Sequence, residues 1–224
     1  MSIKNLLVEL FVEELPPKAL KKLGESFAQL LCDGLKAQGL TTDHSAVSPF
    51  ASPRRLAAHI SAVRAQADDK AVSQKLMPAS VGLNAEGQAT PALLKKLAAF
   101  GADASAVPQL KRQMDGKAEA LFFDSVVRGA TLADGLQKAL DETLTKLPIP
   151  KVMQYQLEDG WTSVNFVRPA HGLVALFGAD VVPLRALGLV SGRETQGHRF
   201  EASMSPVVLQ DADHSAHQLD GRAA

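Results

Sequence analysis

The run from Leu6 to Val12 is apolar except for Glu9, and it stops against Glu13, Glu14 and a double proline, Pro16-Pro17. Lys4 to Glu13 is too short for an ordinary helix and rich enough in Leu, Val and Phe for a buried strand. The next segment has to be helical. Proline suits a first helical turn, Leu20, Leu23, Phe27, Leu30, Leu31 and Leu35 recur at helical spacing, and Gly39 can supply a left-handed cap. The chain therefore opens strand then helix, and its core must pack both. Cys32 falls off the apolar stripe, so solvent or a partner is its expected neighbour.

From Val47 to Val63 the pattern becomes β. Ser52-Pro53 breaks the run, and Leu56, Ala58, Ile60 and Ala62 then alternate with Arg55, Ala57, His59 and Ser61, which predicts one buried face. Arg64 to Gln88 has no strong periodicity and reads as a long loop or irregular excursion. Thr90-Pro91 opens a short helix with Leu93, Leu94, Leu97 and Phe100 on its apolar face. Glu119 to Arg128 is a strand, and Thr131 with Asp134 forms a variant capping box for a helix through Leu132, Leu136, Leu140, Leu144 and Leu147, ended by Pro148 and Pro150. Beyond Lys151 four strands are expected, at Trp161 to Val167, Leu173 to Phe177, Val181 to Leu189 and Pro206 to Leu209. The fold class is α+β, mixed, with largely antiparallel sheets and packed helices. No linker is clean enough to divide the chain, so residues 1–210 are read as one domain and 211–224 as the start of a following segment.

Charge narrows the function. Lys plus Arg and Asp plus Glu are both 24, whereas a protein that clamps a polyanion non-specifically carries a basic excess. Any nucleic-acid contact must be local. The lone Cys32 excludes an intrachain disulfide framework and a multi-cysteine zinc site, and it fits a reducing compartment. Glu9, Glu13 and Glu14 spoil a signal peptide, and Asp180, Pro183 and Arg185 interrupt the most apolar long window, so a cytoplasmic protein without a membrane span is expected.

Spacing argues against several catalytic classes. No phosphate-binding glycine loop ends in Gly-Lys-Ser/Thr, no Gly-x-Gly-x-x-Gly follows a strand, and Gly188 to Gly192 lacks the spacing of a nucleophile elbow. His171, His198, His214 and His217 lack the partners of a metal site. Glu13 and Glu14 point to opposite sides of an extended chain, so they fit a helix-end charge better than an acid–base pair. No residue is assigned to catalysis or to a metal. Cations beside aromatics or prolines stand out: Arg54 and Arg55 after Ser52-Pro53, Lys151 before Tyr155, Arg168 and His171 around Pro169, and His198 with Arg199 before Phe200. A guanidinium forks onto phosphate and an aromatic ring stacks on a base. These seven residues are the candidate RNA contacts, pending the alternative that Arg168 and Arg199 pair internally with Asp124, Glu158 or Glu194. Of Arg54 and Arg55, alternation would send one inward and one outward.

The ordered series Leu7-Val8-Glu9-Leu10, Glu13-Glu14-Leu15-Pro16-Pro17, Pro53-Arg54-Arg55-Leu56-Ala57, Lys146 to Met153, Phe166-Val167-Arg168-Pro169-Ala170-His171 and Gly197-His198-Arg199-Phe200 resembles the amino-terminal part of the bacterial glycyl-tRNA synthetase beta subunit. The resemblance implies a cytoplasmic ligase of two alpha and two beta subunits. The alpha subunit would hold ATP, magnesium and glycine in a class II active site, and the beta subunit would serve tRNA(Gly). It further implies a fold like the B3/B4-type domain of phenylalanyl-tRNA synthetase and a longer parent chain with HD-type and anticodon-binding domains. After Lys151-Val152-Met153 the family continues with Arg-Trp, where this chain has Gln154-Tyr155, so one cation is missing. The expected role is tRNA binding and tetramer assembly, away from the active site. The alternatives are an editing-like aminoacyl-tRNA deacylase and a purely structural interaction module.

Overall fold

The central strand is the one announced by the apolar run. In the computed structural model, which describes residues 2–115, 118–195 and 207–213, β1 (Ile3–Val12) leads into α1 (Pro17–Ala37), and β2 (Val47–Ser52) and β3 (Arg55–Arg64) form a hairpin. Then come β4 (Lys70–Pro78), α2 (Ala79–Gly82), α3 (Pro91–Ala99), β5 (Lys111–Asp115), β6 (Ala118–Val127) and α4 (Leu132–Lys146). The remaining strands are short apart from β9: β7 (Met153–Gln156), β8 (Ser163–Phe166), β9 (Ala170–Phe177), β10 (Asp180–Val181), β11 (Arg185–Ala186), β12 (Leu189–Val190), β13 (Glu194–Thr195) and β14 (Val207–Val208). The α+β class with antiparallel sheets is the one expected.

The chain groups into two compact units, 1–68 with 129–224, and 69–128. No composition shift announces the junctions. The first unit holds a five-stranded sheet in the order β10-β9-β1-β3-β2, each pairing antiparallel. Leu6, Val8, Leu10 and Val12 face the larger core with Leu23, Phe27, Leu31 and Leu35 of α1 and Leu136 and Leu140 of α4. Leu7 and Phe11 face a second cluster with Val174, Leu176, Leu209 and Ala212. Both faces of β1 are therefore covered, which is why its apolar run hardly alternates. Glu9 lies on the second face and is fully buried. Ala212 N–H donates to the Gly178 carbonyl at 2.8 Å, so residues at the expected start of a following segment pack on this sheet.

α1 ends as expected. Gly39 has φ +75°, its N–H reaches the Lys36 carbonyl and the Leu40 N–H reaches the Leu35 carbonyl, both at 3.0 Å, closing the last turn with a left-handed residue. α4 begins at the predicted cap, where Thr131 Oγ1 accepts from Asp134 N–H at 3.3 Å. Cys32 departs from expectation: it is half-buried against the larger core, and burial raises its thiol pKa, with Asp33 adding to the rise. The stripe of α1 is wider than its leucines because β2, β3 and α4 all pack on it.

Three further differences have local causes. The predicted alternation of β3 fails at two places: Ala57, expected on the open face, is fully buried, and past Ile60 the strand slips, where Ala62 has φ +51°, the pairing with β1 shifts between Lys4 and Leu6, and Val63, not Ala62, is buried. Val181 to Leu189 is not one strand. Leu187 and Gly188, at φ +53° and +80°, form a two-residue turn between β11 and β12, tight enough to reverse the chain. The excursion after Arg64 is ordered: β4 pairs with β6 in the sheet β4-β6-β5 of the second unit, whose core is Leu76, Leu93, Leu97 and Leu121. Periodicity does not reveal β4 because Lys70, Ala71, Ser73 and Lys75 are exposed and dilute the apolar signal. In α3, Leu93 and Leu97 are buried, whereas Leu94 and Phe100 are exposed.

A candidate nucleic-acid interface at one rim of the main sheet

The end of β1 is held between two distant segments. Val12 N–H donates to the Arg54 carbonyl at 3.0 Å and Leu15 N–H to the Pro53 carbonyl, while Glu13 N–H donates to the Pro169 carbonyl at 2.9 Å. This clamp brings together side chains that the chain order separates widely. Glu13 Oε1 lies 2.8 Å from His171 Nε2, and Glu13 Oε2 lies 3.6 Å from Arg54 Nη2. The three side chains are 40–45% exposed, so water screens the pairing and stability gains little from it.

Arg168 is placed beside them by a different route. Its Nε donates to the Glu14 carbonyl at 2.9 Å and its Nη1 approaches Met153 Sδ at 2.8 Å. Among the described residues no carboxylate pairs with it, so its internal pairing with Asp124, Glu158 or Glu194 is not what the structure has; Asp124 pairs with Lys111 instead. Lys151 is exposed just before β7, whose Met153 touches Arg168. Tyr155 accepts a hydrogen bond from Ala170 N–H at 3.2 Å, which ties the β7–β8 hairpin to β9 and gives that residue a positioning task.

Arg55 stands apart. Its guanidinium lies 4.9 Å from the centre of the Phe11 ring, on the face of the second cluster. Neither Arg54 nor Arg55 is buried, because Arg54 sits in the turn between strands where alternation does not apply. The structure thus gathers Arg54, Arg168 and His171 at the end of β1, with Lys151 two residues before Met153, whereas Arg55, paired in register with Phe11, lays its guanidinium against that ring. His198 and Arg199 lie outside the described residues. The sequence offers Glu13 as half of an acid pair or a helix-end charge; its actual partners, His171 and Arg54, come from far along the chain, and no local signal names them.

The chemistry of this group is that of an anion-binding rim. It offers guanidinium and ammonium groups beside two carboxylates, Glu13 engaged by His171 and Arg54 and Glu14 exposed, a set dominated by cations that does not suit a hard divalent cation. Among the described residues no three His, Cys, Asp or Glu side chains converge. Nor is any described helix long and apolar enough to cross a membrane.

Comparison with known proteins adds the lineage. The family described as Glycyl-tRNA synthetase beta subunit matches residues 6–223. The chain is 69% identical to a glycine–tRNA ligase beta subunit of Acidovorax ebreus and 70% to that of Leptothrix cholodnii, covering 100% of this chain and 31% of each relative. A relative from Thiobacillus denitrificans is 66% identical over 100% of this chain and 32% of its own length. The chain spans about a third of the length of these relatives.

Proposed function

This chain belongs to the glycyl-tRNA synthetase beta subunit family, and from that premise we propose that it is the amino-terminal tRNA-handling part of a glycine–tRNA ligase beta subunit. It supports tRNA(Gly) and helps hold the tetramer together, and it leaves the chemistry to the alpha subunit. There ATP would activate glycine as an adenylate, with Mg2+ on the phosphates, before transfer to the tRNA end. The parent enzyme works in the cytoplasm as two alpha and two beta subunits. The antiparallel α+β build is in keeping with a B3/B4-type domain like that of phenylalanyl-tRNA synthetase.

The observation that carries the RNA reading is Arg168: its guanidinium is positioned by a carbonyl and a thioether, with no carboxylate among the described residues, so its charge is left for an external anion. Arg54 and Lys151 lie in the segments next to it. The balanced net charge agrees with a small local contact rather than a broad clamp. The test is tRNA(Gly) affinity of the 224-residue chain at two salt concentrations. Arg168→Ala is expected to weaken binding and to flatten the log–log salt slope by about 1 for each phosphate that is no longer neutralised, with circular dichroism unchanged. Affinity and slope equal to the parent's would remove the reading in favour of a structural module.

The His171–Glu13 hydrogen bond favours one second reading. A histidine oriented by a carboxylate can act as a general base, so the chain could be an editing-like deacylase. Release of the amino acid from mischarged tRNA, abolished in His171→Ala, would select it.

A further inference from the structure

The β7–β8 ribbon carries a feature that the rim does not use. Trp161, the chain's single tryptophan, is 92% exposed where the two strands turn. A large ring left in water forgoes the burial that usually stabilises it, so its retention at a tip needs another reason. The backbone beneath it is fixed. Asp159 accepts from Trp161 N–H at 2.9 Å, from Thr162 N–H at 2.8 Å and from Thr162 Oγ1 at 2.6 Å, and Leu157 N–H donates to the Thr162 carbonyl at 2.9 Å. Those hydrogen bonds hold the Asp159 carboxyl below its usual pKa, the Thr162 hydroxyl contributing most. Leu157 also lies against Gly188, where a Cβ would come within 2.3 Å of its Cδ1, and Tyr155 ties the ribbon to β9. The indole is thus presented from a braced support.

At the other end of the ribbon are Lys151 and Arg168, the cations of the rim. Arg168 is seven positions from Trp161, a span of at most about 23 Å at about 3.3 Å per residue. The ribbon's acids are Glu158 and Asp159, and the second is engaged by three donors, two backbone N–H groups and the Thr162 hydroxyl.

We propose that the β7–β8 ribbon extends the RNA contact from these cations to its tip, where Trp161 stacks on an unpaired base of a single-stranded stretch. This rests on the RNA reading of the rim and goes beyond it by naming the base-contacting residue and the form of RNA. A backbone phosphate meets Arg168 and Lys151 at the base of the ribbon, and the nucleobase several residues on meets the ring. A protein partner fits less well, because aromatic anchors of protein interfaces sit inside an apolar patch, whereas Trp161 is flanked by Asp159, Gly160, Thr162 and Ser163. The exposed apolar residues Val152 and Met153 lie at the opposite end of the ribbon. A base needs only one π-face.

Because Trp161 is the single tryptophan, its fluorescence reports the contact directly. The 224-residue chain is titrated with a single-stranded oligoadenylate of about eight nucleotides, within the site sizes of single-strand binders, and with an RNA duplex of the same length. The expected result is saturable quenching by the single strand, at the midpoint given by anisotropy of the labelled RNA, and little quenching by the duplex. Trp161→Ala should weaken single-strand binding about tenfold, and Trp161→Phe should restore most of it. If the single strand binds by anisotropy while emission and Trp161→Ala affinity stay unchanged, the stacking proposal fails and the RNA reading stands. If neither tRNA(Gly) nor the oligonucleotide binds, the RNA reading fails and takes the proposal with it. A shift in emission on adding the alpha subunit, with none on adding RNA, overturns the proposal in favour of a protein contact.

Discussion

The five-stranded sheet and the three-stranded sheet use the same antiparallel pairing, yet they differ in cover. In the first, β1 is packed on one face against α1 and α4 and on the other against Leu209 and Ala212. In the second, Leu76 and Leu121 pack on Leu93 and Leu97 of α3, while β5 is exposed along its whole length. The cover decides how strongly each sheet shows in the sequence: residues hidden on both faces must be apolar at nearly every position, whereas a sheet wet on one face can carry lysine, serine and alanine. It also sets how much stability rests on each side chain.

Phe27→Ala is expected to give the largest effect. It removes a fully buried ring from the main core, at about 3–5 kcal/mol. Urea unfolding followed by circular dichroism measures it, and a loss under about 1 kcal/mol would break the ranking of the two sheets. Leu97→Ala should cost about 2 kcal/mol and act locally. Hydrogen exchange should quicken in β4 and β6 and hold in β1 and β3; acceleration in all four strands would mean that the sheets unfold together. The smallest effect expected is on thiol reactivity. Cys32, half-buried and with a raised pKa, should react several-fold more slowly at about pH 8 than a cysteine placed by Gln113→Cys in a Cys32→Ser background. Equal rates would show that α1 shields its thiol no better than the wet face of β5.

The candidate rim is legible in the sequence only in part. Arg54, Arg168 and His171 stand out because cations beside prolines mark turns, and those turns do converge on the end of β1. Glu13 as the shared partner of His171 and Arg54 is not legible, and neither is Trp161 as a tip residue: Trp161 to Val167 reads as one strand, but β8 starts only at Ser163 because Asp159 binds the backbone of the two residues before it. The ion pairs offered as the alternative for Arg168 are not found among the described residues for a comparable reason, since a short-range pattern cannot say that Asp124 lies in the other compact unit beside Lys111.

By itself the sequence determined what neighbours a few residues apart can decide: the strand before Pro16, the stripe and left-handed cap of α1, the Thr131 cap of α4, and the order of motifs that marks the family. Tertiary structure alone decided which distant groups meet, as with Glu13 and His171, 158 positions apart, and which faces stay wet. Periodicity and capping act within a turn or two of chain, whereas an ion pair or a covered face depends on how separate elements pack.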